Sequence, residues 1–159
     1  TYASEKMPFA EIIFDEILRI GINIVIFGGQ FFTDKLPVNG HWIVWDKKGS
    51  INFDNPFGDC EIAWTNLNKK SLKKYTVIQQ GFVAEERDRF HPTQKPTSLF
   101  YGIIRDYTSD SDNLILDPFL GSGTTAVAAK HLKRNFIGIE ISEKYCEIAR
   151  GRLRQEILF

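Results

Sequence analysis

An apolar run that ends in an acid, a turn holding two glycines and a helix-forming segment follow one another in Leu114-Ile-Leu-Asp117-Pro-Phe-Leu-Gly-Ser-Gly-Thr-Thr125. The order predicts a strand that delivers Asp117, a turn through Pro118, Phe119, Gly121, Ser122 and Gly123, and a helix opening at Thr124. Glycines remove side chains where a ligand must approach the backbone closely. The helix start presents unsatisfied N–H groups and a positive dipole end, suited to a carboxylate or phosphate. In open α/β sheets such a turn lies at the carboxyl ends of the strands, where ligands bind.

A second acid fits this reading. Phe136-Ile-Gly-Ile-Glu140 reads as the next strand, and Glu140 stands about 20 residues past the turn, where the Rossmann arrangement holds ribose hydroxyls. The tail is therefore expected to be a nucleoside-binding βαβ unit. The turn is neither GxGxxG nor a P-loop, which lowers the dinucleotide and nucleoside-triphosphate readings.

The rest of the chain supplies the frame. Apolar residues at Phe9, Ile12, Ile13, Leu18 and Ile20 have helical spacing, and Gly21 is placed to end that helix. Residues 22–27 are nearly all apolar and β-branched, a buried strand stopped by Gly28 and Gly29. Residues 42–45 and 61–64 read as two more strands, residues 65–89 as irregular and polar, and residues 97–107 as a helix behind Pro96. Further helices are expected over residues 124–132 and 142–152. Alternating strands and helices argue for a three-layer α/β domain with a mostly parallel sheet.

Composition narrows the class. A chain of 159 residues that is 43% hydrophobic can bury one sizeable core, so residues 1–159 are expected to form one domain. No apolar run approaches the ~18 residues of a membrane span, so no membrane is expected. Cys60 and Cys146 lie far apart without metal-ligand spacing, which suggests reduced thiols in a cytoplasm and no metal. Twenty basic residues balance twenty acidic ones, so there is no overall basic footprint for nucleic acid. Basic character is local. Residues 65–84 contain Lys69, Lys70, Lys73 and Lys74 and no acid, which reads as a solvated loop or as one that contacts phosphates.

Three motifs together resemble the DNA amino-methyltransferases, which act on adenine N6 or cytosine N4. The turn Asp117-Pro-Phe-Leu-Gly-Ser-Gly-Thr-Thr is similar to their cofactor motif. His91-Pro-Thr-Gln-Lys-Pro96 resembles the segment they place before it, and Phe136-Ile-Gly-Ile-Glu-Ile-Ser-Glu-Lys-Tyr145 the strand and helix after it. Their order resembles the permuted, β-type, phage-like arrangement. The segments Ile26-Phe-Gly-Gly-Gln-Phe31, Trp42-Ile-Val-Trp-Asp46 and Asp59-Cys-Glu-Ile-Ala-Trp64 match its sheet more loosely.

The resemblance implies S-adenosylmethionine as cofactor and a circularly permuted Rossmann-like fold. It implies cofactor contacts from His91, Pro92, Thr93, Gln94, Lys95, Asp117, Pro118, Phe119, Gly121, Ser122, Gly123, Thr124, Glu140 and Ile141. Thr93 and Lys95 would lie near the methionine carboxylate, and Glu140 on the ribose. It further implies DNA as substrate, residues 65–90 as a short target-recognition insertion, and a place in restriction–modification, adenine N6 being favoured over cytosine N4. A second copy of the chain is a further candidate partner. Neither cysteine has the Pro-Cys setting of cytosine-C5 chemistry.

One part of the family pattern has no match. The Pro-Pro-aromatic motif that transfers the methyl group does not occur, and Asn55-Pro-Phe57 has only one proline. The motif is expected upstream of Thr1, on a strand pairing between residues 22–27 and residues 114–117. Two rivals follow: a methyltransferase acting on RNA, protein or a small molecule, and a catalytically incomplete module that binds cofactor or DNA.

Overall fold

The computed structural model describes residues 8–51, 58–68, 71–79, 90, 93–109 and 114–155. They fall into two compact units. One takes in the described parts of Thr1–Asp46 and Asn55–Lys74, the other those of Lys47–Asp54 and Tyr75–Phe159.

The first unit begins with helix α1, Pro8–Ile20. Gly21 ends it as expected, donating its N–H to the Ile17 carbonyl at 2.9 Å. A Cβ there would meet Ile24 Cγ1 at 2.6 Å and that same carbonyl at 2.8 Å, so a side chain would force the exit apart. Strand β1 is Val25–Phe27, shorter than the apolar run, and is followed by Gly28 in the left-handed region and a 3-10 turn, Gly29–Phe31. Strands β2, Trp42–Asp46, and β3, Cys60–Thr65, complete the core of the sheet. Phe14, Ile24, Leu36 and Trp64 are buried together, with Ile17, Leu18, Ile26 and Trp42 packed against them. The Trp64 indole N–H donates to the Pro37 carbonyl, so its polar edge is satisfied inside the apolar cluster.

The strand order is β1-β3-β2-β4, with β4 being Leu72–Thr76. β3 is antiparallel to both β1 and β2, pairing Ile26 with Trp64 and Ile43 with Ala63. The expected mostly parallel sheet is thus corrected to a mixed arrangement. β1 and β2 run in the same direction, but β3 fills the space between them. Apolar, β-branched composition reports burial on both faces and not the direction of the neighbouring strand. The stretch read as irregular after Thr65 likewise contains a strand, β4, and the boundary between the two units falls within it.

The second unit carries the βαβ pattern. Helix α2, Thr97–Tyr107, starts directly behind Pro96 and buries Leu99, Gly102, Ile103 and Ile104. Strand β5, Leu114–Asp117, leads into helix α3, Thr124–His131; strand β6, Asn135–Gly138, leads into helix α4, Glu143–Arg154. β5 and β6 are parallel, in register from Leu114 with Asn135 to Asp117 with Gly138. Ile104, Ala128 and Ala129 form the centre of the packing, with Phe100, Ile115, Leu132 and Phe136 around them. The alanines let α2 and α3 approach closely. Side chains alternate along a strand, and the intervening residues Leu114, Leu116 and Ile137 are exposed. Among the described residues, β1 and β5 each have one strand neighbour, β3 and β6 respectively. No helix among them is long and apolar enough to cross a membrane.

Candidate functional site

The turn after β5 is closed by backbone on one side and by a carboxylate on the other. The ladder continues one step past the strands, with the Ile139 N–H on the Asp117 carbonyl at 2.9 Å. The chain then turns back, and the Leu120 N–H reaches the Ile139 carbonyl at 2.9 Å. The Asp117 carboxylate accepts the Phe119 N–H at 3.0 Å, fixing the first residues of the turn. Gly121 and Gly123 have φ of 54° and 88°, the left-handed region that L side chains rarely adopt. At Gly123 an added Cβ would also meet Ala149 Cβ of α4 at 2.7 Å. Gly123 is therefore required twice, by its backbone angle and by helix packing.

Glu140 sits where the sequence placed it, just past the end of β6. Its Oε2 accepts the Gly121 N–H and its Oε1 the Ser142 N–H, each at 2.8 Å. One carboxylate thereby ties the glycine turn to the start of α4. It is half-buried at the strand end. Phe119 and Ile141 stand exposed on either side of these contacts in sequence, 63% and 101% accessible, as apolar surface at the strand ends.

The segment before α2 joins the same turn. Gln94 is 7% exposed and Ser122 is 3% exposed. Gln94 Oε1 accepts the Ser122 hydroxyl at 2.9 Å and the Phe90 N–H at 2.9 Å. The structure thus brings Gln94, Ser122, Gly121, Thr124, Asp117 and Glu140 into one connected framework. Thr93 is exposed and Lys95 half-buried beside it. His91 and Pro92 lie outside the described residues, as do Asn55-Pro-Phe57, Lys69 and Lys70.

Sequence reasoning missed Arg152. Its Nη1 donates to the Ser122 carbonyl at 3.0 Å, the Ser122 hydroxyl at 3.3 Å and the Thr124 hydroxyl at 3.2 Å, while Nη2 donates to the Thr97 hydroxyl at 3.1 Å. Its guanidinium also lies over the Phe90 ring, 5.5 Å from the centroid. No local signal marks this residue, because its partners lie about 30 to 55 positions earlier.

Of the lysines, Lys73 and Lys74 lie on β4, half-buried and exposed respectively. Lys74 Nζ is 3.2 Å from Asp46 Oδ2, an ion pair across β2 and β4.

Residues 35–151 match the DNA methylase family of N6 and N4 methyltransferases. The type II methyltransferase M2.DpnII of Streptococcus pneumoniae is 56% identical over 116 residues, covering 73% of this chain and 37% of that protein. M.HinfI of Haemophilus influenzae is 49% identical over 71 residues, 45% of this chain and 20% of the relative. The chain thus spans well under half the length of these two curated relatives. Among solved structures, M1.HpyAVI in complex with SAM superposes with a TM-score of 0.58 at 31% identity, covering 84% of this chain and 74% of that one. A putative DNA modification methylase from Thermus thermophilus, complexed with S-adenosyl-L-methionine, shares the fold with a TM-score of 0.63 at 15% identity, covering 91% of this chain and 74% of that one. With its glycine turn, paired strand-end acids and this breadth of match, the chain belongs to the DNA methylase family.

Proposed function

We propose that the protein transfers a methyl group from S-adenosylmethionine to an exocyclic amino group of DNA, adenine N6 or cytosine N4. The observation that carries the reading is the Glu140 carboxylate folded back onto the glycine turn, Oε2 on the Gly121 N–H at 2.8 Å. A strand-end acid in that place can receive ribose hydroxyls. The exposed Phe119 and Ile141 offer apolar faces to a base, and the helix start of α3, behind Gly123, suits an anionic or polar group of the ligand. These residues fit S-adenosylmethionine, which supplies an electrophilic sulfonium methyl when bound. In this reading Thr93 and Lys95 lie toward the methionine carboxylate, and His91 and Pro92 belong to the same cofactor-binding motif.

The chain's work is binding and alignment. Direct transfer needs the amino nitrogen in line with the methyl group and water excluded, and alignment of this kind is worth several kcal/mol of barrier. Residues 1–159 are read as part of one methyltransferase domain of the permuted arrangement, with residues 65–90 facing DNA. The Pro-Pro-aromatic motif is assigned to a segment outside this sequence. The proposed setting is restriction–modification, which the names of the type II relatives support, and the proposed compartment is the cytoplasm.

The test is incubation of the full-length protein with duplex DNA and isotopically labelled S-adenosylmethionine, followed by nucleoside mass spectrometry. Label in N6-methyladenine or N4-methylcytosine is the expected result. Label in RNA or protein and not in DNA would overturn the substrate class. Cofactor binding with no transfer to any substrate would favour the incomplete binding module.

A further inference from the structure

We propose that Arg152 is a positioning residue for the cofactor turn, one that holds the turn in its binding shape without touching the ligand. The inference rests on the reading of residues 117–123 and Glu140 as the S-adenosylmethionine site.

The geometry is specific. The guanidinium uses one nitrogen on the turn itself, at the Ser122 carbonyl and hydroxyl and the Thr124 hydroxyl, and the other on Thr97 at the first position of α2. A planar fork places donors on two separated nitrogens in fixed directions, a span that the single nitrogen of an ammonium does not have. Ser122 is held from its other side by Gln94, whose side-chain oxygen also receives the Phe90 N–H. Phe90 in turn covers the guanidinium with its ring. The circuit is therefore closed: Phe90, Gln94, Thr97, the turn and the end of α4 are joined around one charged group.

The consequence for binding follows from the turn's backbone. Gly121 and Gly123 both sit at positive φ, and glycine has the widest choice of conformations when unconstrained. Ser122 lies between them. A residue flanked by two such glycines has little local restraint, so its orientation depends on what grips its carbonyl and hydroxyl. Arg152 grips both. The Gly123 N–H to Leu120 carbonyl bond, at 3.0 Å, closes the same turn and shares the restraint. Loosening Ser122 spreads the turn over conformations that do not present the Gly121 N–H and the α3 start together, and apparent affinity falls by the fraction of competent turn.

The test uses the full-length protein and three variants, Arg152→Met, Arg152→Lys and Glu140→Ala. Calorimetry with S-adenosylhomocysteine, steady-state KM values for S-adenosylmethionine and for DNA, and amide exchange at Ser122 and Gly123 are measured on each. Arg152→Met should weaken cofactor binding about tenfold, as expected for losing charge-assisted hydrogen bonds. It should also speed exchange at Ser122 and Gly123, and should leave the KM for DNA within about twofold, since no DNA contact is involved. Arg152→Lys should recover part of the cofactor affinity, because an ammonium can still reach the Ser122 carbonyl but not Thr97 as well. If Arg152→Met does not fold, Arg152→Lys decides by the same readouts, with a smaller loss confined to cofactor affinity. Cofactor affinity unchanged in a folded Arg152 variant, or cofactor and DNA KM rising together, overturns the proposal. If Glu140→Ala weakens binding while the Arg152 variants do not, only the positioning role fails. If Glu140→Ala also binds like wild type, the site reading beneath it fails.

Discussion

The Glu140 carboxylate and the Gly121 N–H meet at 2.8 Å across a turn 19 residues apart in sequence. The second carboxylate oxygen takes the Ser142 N–H at the start of α4. The acid that would hold a ribose thus also sets the shape of the turn that would hold the rest of the ligand. On the proposed function, recognition and preorganisation would be vested in one side chain.

Replacement of Glu140 should therefore act on both. Glu140→Ala removes charge-assisted hydrogen bonds worth roughly 1.5–3 kcal/mol, a loss of about tenfold to a hundredfold in cofactor affinity. It also frees two backbone donors, so the unliganded protein should melt at a lower temperature. Calorimetry and a thermal scan on the same sample check the two effects. Unchanged cofactor affinity would remove Glu140 from the site.

Gly123 admits no side chain. Its φ of 88° and the 2.7 Å approach of a Cβ to Ala149 act together. Gly123→Ala should cost roughly 1–2 kcal/mol for the left-handed backbone and about 1–3 kcal/mol for overpacking. Chemical denaturation should show a lower midpoint, and a midpoint equal to wild type would mean that α4 yields easily at Ala149.

The second half of the fold was legible because its signals are local. Pro96 starts α2, an apolar run makes β5, and the glycine turn can only lead into α3. The places of Asp117 and Glu140, at the end of β5 and just past the end of β6, were legible for the same reason, since each ends an apolar run. The pairing in the first half was not legible. Whether β2 meets β1 or β3 is decided by contacts such as Ile43 with Ala63, remote in sequence and invisible to composition. β4 was missed because Leu72-Lys-Lys-Tyr-Thr76 alternates exposed and half-buried positions without an apolar face. Arg152 reads locally as one of several arginines on a solvated helix, and only the fold carries it to Ser122.

Tyr75 and Asp106 give the second unit a pH dependence. The Tyr75 hydroxyl donates to the Asp106 carboxylate at 2.9 Å. Burial, then the hydrogen bond and charge of Asp106, push the phenol well above its usual range. The unfolded chain releases this proton near pH 10 and the folded protein keeps it. Above pH 10 the unfolded state binds fewer protons, so stability is present below that pH and declines as pH rises. Tyr75→Phe should cost about 1 kcal/mol at neutral pH from the lost hydrogen bond. It should show a shallower decline than wild type between about pH 9 and 11 in denaturation midpoints, since it lacks the titrating phenol. Parallel declines would show that other groups set the alkaline limit.

The lysines test the proposal that residues 65–90 face DNA. If Lys69, Lys70, Lys73 and Lys74 all contact phosphates, their joint replacement by Gln should flatten the slope of log K against log salt by about 3–4 units. Lys74 is paired with Asp46 and exposed, a contact that is easily exchanged for a phosphate. Filter binding across a salt series checks this, and an unchanged slope would show a merely solvated segment.

Among the described residues β5 has a strand neighbour on one edge only, which supports the last expectation, that a further strand belongs on the other. The N–H and C=O of one strand residue point to the same edge, and successive residues alternate. The Asp117 carbonyl accepts from Ile139 on the β6 side, so the Leu116 N–H and C=O are directed to the opposite edge. Leu114 and Leu116, 57% and 40% exposed, show that one face of this strand is open as well. A buried strand end with unpaired backbone groups costs about 1–3 kcal/mol for each group. In the full-length protein the Leu116 amide should therefore exchange as slowly as the Ile115 and Asp117 amides that face β6. Hydrogen exchange read by NMR decides the matter residue by residue. If Leu116 exchanges at the rate of an exposed loop amide while its two neighbours are protected, β5 is an edge strand. The Pro-Pro-aromatic motif would then have to lie elsewhere, with Asn55-Pro-Phe57 the first segment to replace in a methylation assay.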